Sequence, residues 1–225
     1  MATSVHATKR GGTSQRYELL ARLGQWIQSH RQAAIYLGAG LAVAALVGVW
    51  SMWSGRQSEV RAAEELIQAR FALESENLPL AASEFASIAA NYSGTRAADE
   101  ATMLLGRVRL MQGQNDQAVT VLKDFAPGAH RLYRAQAFSL LGAAYENLGR
   151  WADAADAYQK ASGAALWSFL EAQLLLDAAR GWAAAGDTAK AVANYSRVVK
   201  EFPETGPVVE AQVRLGELTK GAGTP

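Results

Sequence analysis

Cysteine is absent from these 225 residues. That excludes disulfides, thiolate metal sites and a cysteine nucleophile, and it leaves the redox compartment open. Histidine is nearly absent. His6, His30 and His130 are the only ones, no two share a helix face, and the usual histidine-containing zinc arrangements lack their ligands. Excess charge is missing too, because a net charge of +1 supplies no basic field for nucleic acid. No glycine-rich loop ends in Lys-Ser or Lys-Thr, and no nucleophile elbow occurs. The acidic pairs, Glu64-Glu65 and Asp153 with Asp156, fall on solvated helical positions. The expectation is a chain that is not an enzyme and carries neither cofactor nor metal.

What the chain does have is concentrated in two features. The first lies between Arg31 and Arg56, where 24 consecutive residues carry no charge. Their apolar centre, residues 33–53, would span roughly 31 Å as a helix, about one hydrocarbon core. Tyr36 stands near one end and Trp50 and Trp53 near the other, where interfacial aromatics belong. The run starts too late and lasts too long for a cleaved signal peptide, and no small-x-small site closes it. A single transmembrane signal anchor is expected, in contact with the lipid bilayer through 33–53. Lys9, Arg10, Arg16, Arg22 and Arg31 precede it, whereas only Arg56, Arg61 and Arg70 follow as far as Glu76. That asymmetry puts the N-terminus in the cytoplasm and the remainder outside it, in the periplasm or an equivalent space of an inner membrane.

Residues 1–32 then form a cytoplasmic tail. Leu19, Leu20, Leu23, Trp26 and Ile27 fall on one face of an amphipathic helix within it. Inside the anchor, Gly40, Ala44 and Gly48 make a small-residue stripe suited to a homodimer.

The second feature is a repeat. From Gln57 onward apolar residues recur at three- and four-residue intervals, the pattern of helices throughout. Small residues stand at Ala69, Gly106, Gly142, Ala179 and Gly216, spaced 37, 36, 37 and 37 apart. Around Gly142 the residues Leu141, Ala144, Tyr145, Gly149, Trp151, Ala154, Tyr158 and Ala161 complete a motif. Leu141 and Tyr145 suit the space between two helices, and Gly142 lets those helices approach. Gly149 ends the first helix at a residue that tolerates positive φ. This motif resembles the tetratricopeptide-repeat (TPR) signature in its spacing. The resemblance implies an all-α solenoid of about four helix pairs plus a capping helix over 57–220, with 221–225 a disordered tail. The joints around 91–95, 126–129 and 202–206 are longer than usual, and in this they resemble bacterial envelope TPR proteins. In layout the whole chain resembles the YfgM-type ancillary subunits of the Sec translocon.

A TPR solenoid lines its concave side with the first helix of each pair. One residue past the small position stand Arg70, Arg107 and Arg180, suited to carboxylates or carbonyls of an extended peptide. Leu66, Met103, Leu110, Met111 and Leu176 are expected beside them as adaptable apolar contacts. The Lys/Asn clamp of some cytosolic TPR cochaperones is absent, with Ser139, Leu140 and Ala143 at its positions. The resemblance implies a protein-binding, chaperone-like adaptor of protein translocation and envelope biogenesis. Its partners would be translocon subunits, secreted clients or periplasmic chaperones. The alternative is a structural adaptor of a division or envelope-assembly machine with one fixed folded partner.

Overall fold

The computed structural model describes residues 31–219, with the side chains of residues 31, 34, 37 and 38 outside that set. The amphipathic segment from Leu19 to Ile27 and the tail 221–225 lie outside the described residues. Nine helices and no strand occur among the described residues: α1 Arg31–Glu74, α2 Leu78–Asn91, α3 Arg96–Met111, α4 Asn115–Phe125, α5 Arg131–Asn147, α6 Trp151–Gly163, α7 Ser168–Ala184, α8 Thr188–Glu201 and α9 Pro207–Thr219. Contacts divide the chain into two compact units, Met1–Gly55 and Arg56–Pro225.

In the first unit the described side chains from Leu41 to Trp53 are solvent-exposed, and nothing lies within 4 Å of a side chain built at Gly40 or Gly48. Among the described residues no helix is long and apolar enough to cross a membrane.

The second unit is a stack of antiparallel hairpins, α1/α2, α3/α4, α5/α6 and α7/α8, followed by α9 packed on α7 and α8. Each hairpin turns in the same way. The amides of Asn77, Gln114, Arg150 and Asp187 reach back to the carbonyls of Ala72, Arg109, Tyr145 and Trp182 at 2.8–2.9 Å. That is the six-to-one bond of a Schellman motif, which needs a left-handed residue one position earlier. Gly113, Gly149 and Gly186 supply it at φ 72°, 70° and 81°, and in the first hairpin Glu76 adopts φ 55° instead. Two of the helices that follow, α2 and α8, start on side-chain caps. Asn77 accepts from the amide of Leu80 at 3.3 Å, and Asp187 from that of Lys190 at 3.0 Å. His130 caps α5 by accepting from the Leu132 amide at 3.3 Å.

The core is built where the two helices of a hairpin cross. A Cβ on Gly142 would lie 2.7 Å from the Tyr158 ring, and one on Gly106 would lie 2.5 Å from Leu122. Both bulky partners follow their glycine by 16 residues. Phe85 and Tyr195 stand at the same offset from Ala69 and Ala179, and all four are buried. The small-residue period is therefore a packing period. Gly216 is the exception, with nothing within 4 Å of its built Cβ, because no second helix crosses α9 among the described residues.

Candidate functional site

The first helix of each hairpin carries three residues of interest at a common register: Ala63, Ile67 and Arg70 on α1; Glu100, Leu104 and Arg107 on α3; Gln136, Leu140 and Ala143 on α5; Gln173, Asp177 and Arg180 on α7; Glu210, Arg214 and Glu217 on α9. At the N-terminal end of this lane α1, α3 and α5 enclose a cleft of about 320 Å³, lined among others by Leu66, Ile67, Arg70, Arg96, Glu100, Leu132 and Tyr133. Ile67 and Leu132 are exposed there, with no protein cover over their apolar faces.

Polar groups fix the walls of this cleft. The Arg70 guanidinium pairs with the Glu100 carboxylate, and the Tyr133 hydroxyl donates to the other oxygen of Glu100 at 3.1 Å. Burial, reinforced by that carboxylate, pushes the Tyr133 phenol up from its ordinary value, so it stays a donor. The Glu59 carboxylate reaches from α1 to the start of α3, where it accepts from the amides of Arg96 at 2.9 Å and Ala97 at 3.3 Å. An anion there satisfies two open amides and complements the helix dipole. The Arg96 side chain has no ion pair among the described residues.

The C-terminal end of the lane is closed by its own charges. Arg180 binds Glu210 through Nε at 2.8 Å and through a second, shorter contact, and it also pairs with Asp177 at 3.1 Å. Hydrogen bonding from Arg180 holds the Glu210 carboxyl below its ordinary range. Burial pushes Asp177 the other way, against the pull of Arg180. Arg214 pairs with Glu217 at 2.9 Å. Between the two ends, the Tyr158 hydroxyl donates to Glu146 at 2.8 Å.

The sequence-predicted residues therefore separate. Arg70 and Arg180 hold adjacent hairpins together through Glu100 and Glu210. Arg107 alone of the three is exposed without an ion pair among the described residues, because Gln136 takes the position that Glu100 and Glu210 hold elsewhere. Leu66, Met103 and Leu176 are 6%, 4% and 2% exposed and are corrected from groove contacts to core. Leu66 and Met103 belong to one buried cluster and Leu176 to the other, and of the three only Leu66 also lines the cleft. Leu110 is half-buried and Met111 exposed.

Sequence reasoning missed Ile67, Leu132 and Tyr133. It also missed an exposed patch in the joint between α6 and α7. There Trp167 and Phe169 stack at 6.4 Å beside exposed Leu166. Among the described residues no group of three or more histidine, aspartate or glutamate side chains could hold a metal ion.

Residues 56–174 match the family described as a tetratricopeptide repeat-like domain, and residues 173–205 match a tetratricopeptide repeat. No curated protein matches the sequence. Among solved structures, MamA protein is similar at 18% identity over 71% of this chain and 81% of that one, with a TM-score of 0.54. The nearly identical TPR-like repeats of a Podosopora anserina kinesin light chain are similar at 17% identity, 72% and 86% coverage and a TM-score of 0.56. At these identities the likeness is one of fold.

Proposed function

Since the chain belongs to the tetratricopeptide repeat family, a family of protein–protein interaction modules, we propose that its α1–α3–α5 cleft captures a segment of another polypeptide. The observation that carries this reading is the coincidence, in one cleft, of uncovered Ile67 and Leu132 with the unpaired cation Arg96. Arg107 stands one hairpin further along the same register. A ligand with an apolar side chain and a nearby carboxylate fits those groups, since a desolvated charge-assisted bond beside apolar burial gives both affinity and orientation.

The wider reading is a chaperone-like adaptor anchored in an inner membrane by 33–53, with its repeats outside the cytoplasm. It would serve protein translocation and envelope biogenesis, as the YfgM-type resemblance implies. Support for the anchor comes from the uncharged run and its flanking arginines. The adaptor with one fixed folded partner gains from the exposed, stacked Trp167–Phe169 pair, because aromatic anchors of that kind dominate interfaces between folded proteins.

In-cell photo-crosslinking from position 132, an exposed residue of the cleft wall, followed by mass spectrometry, tests the function. Translocon subunits and many secreted chains are the expected adducts. One dominant folded adduct moves the protein to the fixed-partner class, and no adduct rejects the cleft. Protease protection on right-side-out and inverted vesicles tests topology, and digestion of the repeats only from the inner face overturns it.

A further inference from the structure

Helix α1 turns Ala62, Leu66 and Ala69 into the core of the first hairpin. At 100° per residue, Val60, Ile67 and Phe71 lie on the opposite side, and they are 57%, 64% and 67% exposed. In the second hairpin the equivalent residues Ala97, Leu104 and Val108 are all buried, because they face the hairpin before them. The direction is confirmed further along, where a Cβ on Gly181, the counterpart of Phe71, would lie 2.9 Å from Ala155 of the preceding hairpin. The α1 row is thus an apolar end face that nothing covers among the described residues.

Its composition says what it takes. The counterparts of Phe71 in the later hairpins are Val108, Ala144 and Gly181, small enough to admit a neighbouring helix backbone, and on α9 the counterpart is Leu218. A phenylalanine there is too bulky for another hairpin to stack in the repeat's own manner. Val60 and Ile67 are seven residues apart, and in the sequence the same seven-residue row runs upstream through Trp53 and Leu46. An apolar seven-residue row along one helix is the pattern by which two helices pair, and two copies anchored side by side by 33–53, as the proposed function has them, pair parallel and in register. We propose that Val60, Ile67 and Phe71 pair α1 with α1 of a second copy, parallel and in register, so that the protein works as a dimer. Glu64, on the edge of the row, meets its own counterpart and weakens the pairing, which makes the dimer dependent on local concentration.

This surface adjoins the cleft at Ile67, which borders both, so Val60 and Phe71, which do not line the cleft, carry the deciding tests. The chain has no cysteine of its own, and single cysteines therefore report unambiguously. Full-length Val60→Cys and Ile67→Cys in native membranes are oxidised and compared with Ser83→Cys, an exposed position on α2. Rapid disulfide dimers from Val60→Cys and from Ile67→Cys, with little from Ser83→Cys, are expected, since like positions of parallel paired helices bring Cβ atoms within disulfide reach.

Adding Phe71→Asp to Val60→Cys should cut the dimer at least about fivefold while the circular dichroism melt is unchanged. Three outcomes overturn the proposal: no dimer, equal crosslinking from all three positions, or an adduct with a different protein instead of a second copy. Crosslinking at Val60 reads the pairing whatever the cleft binds, so the failure of either proposal is recognised separately.

Discussion

Gly142→Ala puts the register of the repeats to a quantitative test. An alanine is intrinsically the better helix former by about 0.8–1.0 kcal/mol, so without steric opposition the variant should be more stable than the parent. Steric opposition is what the fold supplies. The new methyl would sit 2.7, 2.8 and 2.9 Å from three carbons of the Tyr158 ring, and that ring is itself buried between hairpins. Making room separates α5 from α6 or drives Tyr158 off its rotamer, at a cost of about 1–3 kcal/mol for overpacking. Displacing the ring also strains its hydrogen bond to Glu146. Three contacts below 3 Å put the cost in the upper part of that range, about 2–3 kcal/mol, so the net loss after the helix-propensity gain should be about 1–2 kcal/mol.

Gly216→Ala is the matched control, because its Cβ meets nothing within 4 Å and only the propensity gain of about 0.5–1 kcal/mol should register. Each kcal/mol moves the melting temperature by about 2–4 °C in a domain of this size. Stacked repeats lose cooperativity, however, so hydrogen exchange at α5 and α6 should accompany the melt. Gly142→Ala melting at or above the parent, or Gly216→Ala melting well below it, would refute the assignment of these residues to the crossing point.

Two further substitutions read the turns and the charges. Glu76 holds the left-handed position that glycine fills in the other hairpins. Gly149→Ala should therefore cost about 1 kcal/mol, whereas Glu76→Gly should gain a few tenths, the relief of about 1 kcal/mol being offset by the entropy of the unfolded chain; chemical denaturation of both variants checks this. The Glu210 carboxyl is held below its ordinary value by Arg180, so the stability it adds is fully present above that ordinary value and is lost as pH falls through the folded one. Asp177, raised by burial, works in the opposite sense, favouring the fold at low pH and losing that contribution as pH rises. Glu210→Gln should accordingly flatten the acid limb of a melting-temperature profile between about pH 6 and about pH 3. A profile unchanged by the substitution would mean that the Arg180–Glu210 pair is exposed enough to contribute nothing.

The repeats were legible because their period is enforced by packing: a small residue and, 16 positions on, a bulky one. The concave face was legible only to the nearest residue. Leu66 and Ile67 differ by 100° around α1, both are apolar, and a one-residue rotation exchanges core for cleft. The distinguishing signal lay down the column. The counterparts of Leu66 are Met103, Ser139, Leu176 and Val213, never charged, whereas those of Ile67 become Asp177 and Arg214. A position that accepts charge in later hairpins borders water there, although on α3 its counterpart Leu104 is covered by the hairpin before it. The arginines were read one hairpin at a time, and their partners Glu100 and Glu210, each 30 residues on, were overlooked. Leu166, Trp167 and Phe169 carry no period, and nothing in the sequence separates an exposed aromatic in a joint from a buried one.

That same column explains why one end of the lane should bind and the other should not. Ile67, Leu104 and Leu140 give way to Asp177 and Arg214, so the lane changes from apolar to charged after the third hairpin. At the charged end each cation already has its anion: Arg180 holds Glu210 and Asp177, and Arg214 holds Glu217. A ligand there would exchange one set of ion pairs for another and gain little, since exposed pairs contribute at most about 1 kcal/mol. At the apolar end Ile67 and Leu132 are exposed, and Arg96 and Arg107 have no ion pair among the described residues. Covering the two side chains removes apolar surface from water at about 25 cal/mol per Å², and a carboxylate on either arginine breaks no existing pair. Binding at the first three hairpins therefore costs the protein none of its own contacts, while the last hairpin and α9 spend their charges on holding the solenoid shut.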